Sequence, residues 1–149
     1  MMAVDILETK ALRGLTIKQP WADAVAYLGK DIENRTWRTT YTGPLLIHAG
    51  LRVDQEAAKQ APATLPGVRG AVIATARLKG CHRCDGECSR WAEPGVWHWE
   101  LTDVRALDEP VRVSGARGLW IPDEDLRSRM KAATSLLPRR SNCEGSAAP

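Results

Sequence analysis

Leu28-Gly29-Lys30-Asp31-Ile32-Glu33-Asn34-Arg35-Thr36-Trp37 is the stretch on which the reading of this chain turns. A helix-like run ends just before it, and a strand-like run begins inside it. Gly29 is placed to stop the helix, because glycine accepts the left-handed turn common at helix ends. From Asp31 to Trp37, a period of two puts Asp31, Glu33, Arg35 and Trp37 on one strand face. Glu33 and Arg35 then stand about 7 Å apart at their Cα atoms, with Lys30 entering from the turn. A carboxylate between two cations holds both side chains in place. Three charges of mixed sign at an element junction suit a small pocket for a polar, partly anionic ligand. The other reading of the same residues is a salt-bridge cluster on the surface. A cation aimed into a partly closed pocket meets phosphate or carbonyl oxygen. If the pocket desolvates Lys30, that residue becomes a candidate base or nucleophile.

Outward from this stretch, strands and helices follow the hydrophobic pattern. Before it, Leu12–Ile17 reads as a strand and 20–28 as a helix opened by Pro20. Trp21, Ala24, Val25 and Leu28 fall on one face of that helix. After it, Thr39–Gly43 is a turn, Pro44–Ala49 an apolar core strand, and Asp54–Gln60 a short helix capped by Asp54. Gly70–Leu78 is the clearest buried strand. Gly80–Gly95 is a polar, cysteine-bearing excursion. Val96–Val104 returns to strand, with Trp97, Trp99 and Leu101 on one face and His98 and Glu100 on the other. Pro110–Val113 reads as a short edge strand and Asp123–Ala133 as a terminal helix. Residues 1–10 read as a weakly ordered arm, 11–134 as one domain, and 135–149 as a disordered tail. Five or six strands and three helices in one domain imply an α+β fold, a curled, barrel-like sheet with flanking helices.

The chain has 149 residues, enough for one domain with a real core. Hydrophobic residues at 44% and charged residues at 26% put it among soluble globular chains. No apolar run approaches the roughly 20 residues of a membrane span. The N-terminus lacks the basic and apolar regions of a signal peptide, so the cytoplasm is the expected location. Residues 10–52 carry seven Lys or Arg against three acids, an excess that favours a phosphate-bearing partner. Phe is absent and Trp occurs six times, so tryptophan must fill core space. An indole N–H also wants a partner, which places some Trp at pocket edges.

The central stretch resembles the signature of the ASCH (activating-signal-cointegrator homology) domain family, a branch of the PUA-like superfamily. That signature is Gly-x-Lys-x-x-Glu-x-Arg. Lys30, Glu33 and Arg35 match it in register, whereas Gly29 stands next to the lysine instead of two before it. Gln19-Pro20-Trp21-Ala22, Trp37, Tyr41-x-Gly43-Pro44-Leu45-Leu46-Ile47-His48-Ala49 and Gly118-Leu119-Trp120 extend the likeness over about residues 12–125. The resemblance implies a PUA-like curled β-barrel and a cleft that binds RNA or a nucleotide. Its ligand-binding residues would be Lys30, Glu33, Arg35, Trp21, Trp37 and His48, with Trp21 or Trp37 as stacking faces. Some ASCH proteins hydrolyse the acyl amide of N4-acetylcytidine with a Lys, a Thr three residues on, and a distant Glu; others are ribonucleases. In the hydrolase reading Lys30, Glu33 and Glu100 would be catalytic, but Glu33 stands where the hydrolases carry Thr. Binding is therefore the first expectation, hydrolysis of an acylated cytidine-like nucleoside the second, and ribonuclease or protein-interaction activity the further alternatives.

Cys81, Cys84 and Cys88 fall within eight residues. Three thiolates with His98 or His82 complete the four ligands zinc prefers, and a loop of free thiols or a reversible disulfide is the alternative. Cys143 lies in the tail. Arg127, Arg129, Lys131, Arg139 and Arg140 form a basic run that suits a nucleic acid, an acidic partner or a solvated helix end.

Overall fold

The computed structural model describes residues 6–134. Among the described residues, six strands build one sheet: β1 (Arg13–Gln19), β2 (Ile32–Arg35), β3 (Gly43–Val53), β4 (Ala71–His82), β5 (Trp97–Arg112) and β6 (Leu119–Trp120). Three helices are complete within the described residues: α1 (Trp21–Tyr27), α2 (Gln55–Gln60) and α3 (Glu124–Thr134). The sheet order is β2-β5-β4-β3-β1-β6, with β1 parallel to β3 and every other pair antiparallel. Long β4 and β5 slip register at three places, and such bulges bend and twist a sheet. The result is the α+β, curled half-barrel that the pattern predicts.

Strand alternation divides the core in two. Leu15, Ile17, Leu45, Ile47, Ala49, Ile73 and Trp99 point into the curl and meet Ala22 and Val25 of α1. Leu12, Leu46, Val72 and Val111 point to the other face, where Leu126 and Met130 of α3 cover them. Aspartate side chains cap two helices, the first of them as the sequence predicts. Asp54 Oδ1 accepts the Ala57 N–H at the start of α2, and Asp123 Oδ1 accepts the Leu126 N–H at the start of α3. Gly29 sits at φ 77°, so the chain turns and the Lys30 N–H comes back to the Ala24 carbonyl. Among the described residues, no helix is long and apolar enough to cross a membrane.

Four expectations need correction. Pro110–Val113 is no separate edge strand, because β5 runs through Pro110 to Arg112 beside β4. The cysteine excursion begins later than Gly80, since β4 stays paired up to His82. Leu28 is exposed, lying beyond the last turn of α1. The weakly ordered arm does not extend through residue 10: Leu7 is fully buried against α3, and Arg127 donates to the Leu7 and Thr9 carbonyls. Residues 1–5 and the tail 135–149, with Cys143, Arg139 and Arg140, lie outside the described residues.

Candidate functional site

Lys30, Glu33 and Arg35 meet at the mouth of the curl. Glu33 pairs with Trp99 across β2 and β5, so its side chain and that of Arg35 point inward. Glu33 Oε2 accepts from Arg35 Nε at 3.1 Å, and Glu33 Oε1 stands 3.8 Å from Lys30 Nζ. Arg35 Nη2 also donates to the Thr16 carbonyl at 2.9 Å. Thr16 belongs to β1, which is not a sheet neighbour of β2. Arg35 therefore ties the two sides of the half-barrel together. The cluster is not a surface salt bridge: Lys30 is 3% and Glu33 8% exposed.

Lys30 is enclosed by aromatic rings. Its Nζ lies 5.4 Å from the Trp21 ring centre and 5.8 Å from that of Trp91, and it donates to the Ile32 carbonyl. Burial pushes the Lys30 pKa down, with Glu33 opposing that shift. Trp21 is held by Asp54, whose second oxygen accepts the indole N–H at 3.0 Å. Trp91 comes from the loop between β4 and β5. Asn34 anchors that loop by donating to the Trp91 carbonyl and accepting from the Glu93 N–H.

Two cavities adjoin at Lys18, Glu33 and Asn34. The smaller, ≈ 500 Å³, is lined by Trp21, Lys30, Trp91, Arg90 and Glu93. The larger, ≈ 1150 Å³, carries Lys18, Arg35, Arg52, Arg69, Arg112 and Arg117 on its walls. Among its described lining residues, Glu33 is the one acid. Trp37, 41% exposed, stands at its rim and packs edge-on against Trp99 at 4.6 Å. His48 lines the same cleft. Its Nδ1 meets Thr16 Oγ1 at 3.2 Å, its Nε2 meets the Val113 carbonyl at 2.7 Å, and burial lowers its pKa.

The fold thus gathers Lys30, Glu33, Arg35, Trp21, Trp37 and His48 around two connected cavities. Glu100 does not join them. It pairs with Ile32, one residue out of phase with Glu33, and so faces the opposite side of the sheet. There its Oε2 is bound to His82 Nδ1 at 2.7 Å. The predicted zinc ligands are also redistributed. Cys81 pairs with Trp99 and packs against the inner core, whereas His82 pairs with His98 on the outer face. The gathered set is His82, Cys84, Cys88 and His98, with ligand atoms within 4.8 Å of one another. Trp91 and the arginines of β3, β5 and the connections were not legible as site residues. They come from separate elements, and nothing in their local spacing marks them.

A six-stranded sheet curled into a half-barrel with flanking helices is the PUA-like architecture. Within that class, the chain belongs to the ASCH domain family, whose sequence profile it matches over residues 15–111. Its backbone is similar to the crystal structure of ASCH from Zymomonas mobilis, with a TM-score of 0.58 over 85% of this chain and 96% of that one. At 12% identity, that likeness is one of fold. Comparison with curated proteins finds no match.

Proposed function

We propose that this ASCH domain binds single-stranded RNA, with phosphates along the larger cleft and one base in the smaller cavity. The observation that carries the reading is the charge of the larger cleft: six cations face one carboxylate. A groove of that sign attracts a phosphodiester backbone and releases its counterions. Trp37 at the rim offers a stacking face of the kind single strands use. In the smaller cavity, Lys30 stands between two indoles and can donate to a base carbonyl. Glu33 keeps Lys30 and Arg35 positioned.

The amidohydrolase reading has less support. Glu33 replaces the hydrolase Thr, and Glu100 lies on the other face of the sheet. Fluorescence anisotropy with a labelled single-stranded oligoribonucleotide tests binding, with a mononucleotide and N4-acetylcytidine in parallel. Tight oligonucleotide binding, weak mononucleotide binding and no turnover is the expected pattern. Binding that survives unchanged in Lys30→Met and in Arg52→Ala/Arg117→Ala would sink the proposal.

A further inference from the structure

On the outer face of the sheet, the end of β4, the start of β5 and the loop between them bring two thiols and two imidazoles together. Cys84 and Cys88 Sγ lie 2.9 Å apart, and each stands close to His98 Nδ1, at 3.6 and 3.7 Å. His98 Nε2 contacts the Glu93 carbonyl at 2.5 Å. A carbonyl only accepts, so Nε2 carries the proton and Nδ1 presents a lone pair to the two sulfurs. His82 is fixed in the same way. Its Nδ1 contacts the Glu100 carboxylate at 2.7 Å, which leaves Nε2 as its free lone pair. Both imidazoles are thus oriented by an oxygen behind them, as metal-ligating histidines usually are.

We infer that Cys84, Cys88, His82 and His98 form a structural zinc site. Two thiolates and two neutral imidazoles are a donor set that zinc takes in closed tetrahedral sites. Bonds of about 2.3 Å to sulfur and about 2.0–2.1 Å to nitrogen set tetrahedral edges of about 3.6 Å for S···N and about 3.8 Å for S···S. The two S···N distances already have that length. The sulfurs need to spread by about 0.9 Å, an easy movement for side chains on a loop. Binding releases the thiol protons to solvent, and two thiolates balance the charge of the divalent ion.

The site has a consequence for the cavity around Lys30. The loop it closes also carries Arg90, Trp91 and Glu93, which wall that cavity. Zinc would anchor the outer side of the loop, while Asn34 anchors its inner side. The metal is therefore a staple that keeps the Trp91 wall over Lys30, and the inference stands whether or not the cavity receives RNA.

Metal analysis of the full chain, purified under reducing conditions without chelator, should find about one zinc per chain. Replacement by cobalt(II) should give thiolate-to-metal charge-transfer bands and the visible spectrum of a tetrahedral ion. Cys84→Ser/Cys88→Ser should lose both metal and bands, and Cys81→Ala should keep them. Chelation should raise hydrogen exchange in residues 83–96 above that in β3. Zinc below about a tenth of an equivalent with no cobalt–thiolate band overturns the site. So does a Cys84–Cys88 disulfide in the reduced preparation, or metal retained by the double variant. If the double variant does not fold, the wild-type cobalt spectrum decides alone, supporting the site by its thiolate bands or overturning it by their absence. Unchanged exchange in 83–96 after metal removal overturns the staple.

Discussion

Replacing Lys18, Arg52 and Arg117 together by alanine should halve the salt dependence of RNA binding without unfolding the domain. All three side chains are exposed and line the larger cleft. Exposed substitutions of this kind usually change stability by less than about 0.5 kcal/mol. Six cations line that cleft. If each meets one phosphate of a single strand, log Kobs against log[salt] has a slope of about −4, at about −0.7 per contact. Raising salt from about 50 to about 200 mM then weakens binding by about 300-fold. The triple variant keeps Arg35, Arg69 and Arg112, so its slope drops to about −2 and the same change in salt costs about 20-fold. Anisotropy titrations at four or five salt concentrations give both slopes directly. Circular dichroism and urea midpoints check that the variant is folded. A wild-type slope shallower than about −1, or a slope that the three substitutions leave alone, would refute the assignment of the cleft to a phosphodiester backbone.

Three further outcomes test the framework of the site. Glu33→Ala strips Lys30 and Arg35 of their shared buried carboxylate and should cost about 3 kcal/mol in urea unfolding, whereas a loss below about 1 kcal/mol would mean that the cluster is solvated. Gly14→Ala should cost about 1–3 kcal/mol and displace Trp120, since a Cβ there would lie 2.3 Å from the indole; an unchanged tryptophan emission spectrum would argue against that contact. His48 should be less protonated than an ordinary histidine at the same pH, because burial holds its pKa below 6.5. Between that lowered pKa and 6.5 the unfolded chain binds more protons, so this contribution to stability is complete above 6.5, shrinks as pH falls through the window, and levels off below the folded pKa. An NMR titration placing His48 at or above 6.5 would contradict it.

Tryptophan shows where reading by residue type stops. Six indoles without phenylalanine suggest a tryptophan-filled core, yet only Trp99 is fully buried. Trp37 packs on it edge-on, while Trp21 and Trp91 flank a lysine and Trp120 covers Gly14. An amphipathic ring serves core and rim alike, and its place depends on what the fold sets beside it. The cysteine loop makes the same point. Spacing named three cysteines, but strand pairing turns Cys81 into the core and brings His82 out to the ligand set.

Local pattern alone was enough to find the helix that stops at Gly29, the strand carrying Glu33 and Arg35, and the Asp54 cap, while the resemblance of the Lys30–Arg35 segment pointed to the family whose profile the chain matches. These are short-range facts, because helical and strand periods and cap chemistry act within a few residues. Tertiary structure decided the rest. Sheet register set which side of the curl each residue faces, which separated Glu100 from Glu33 and Cys81 from Cys84. Curling brought β1 against β2, so that Arg35 could close the mouth onto Thr16. It also gathered cations from four strands and two connections into one cleft. No window of sequence holds that information, since the charges lie up to about a hundred residues apart and meet only when the apolar faces of the strands are buried.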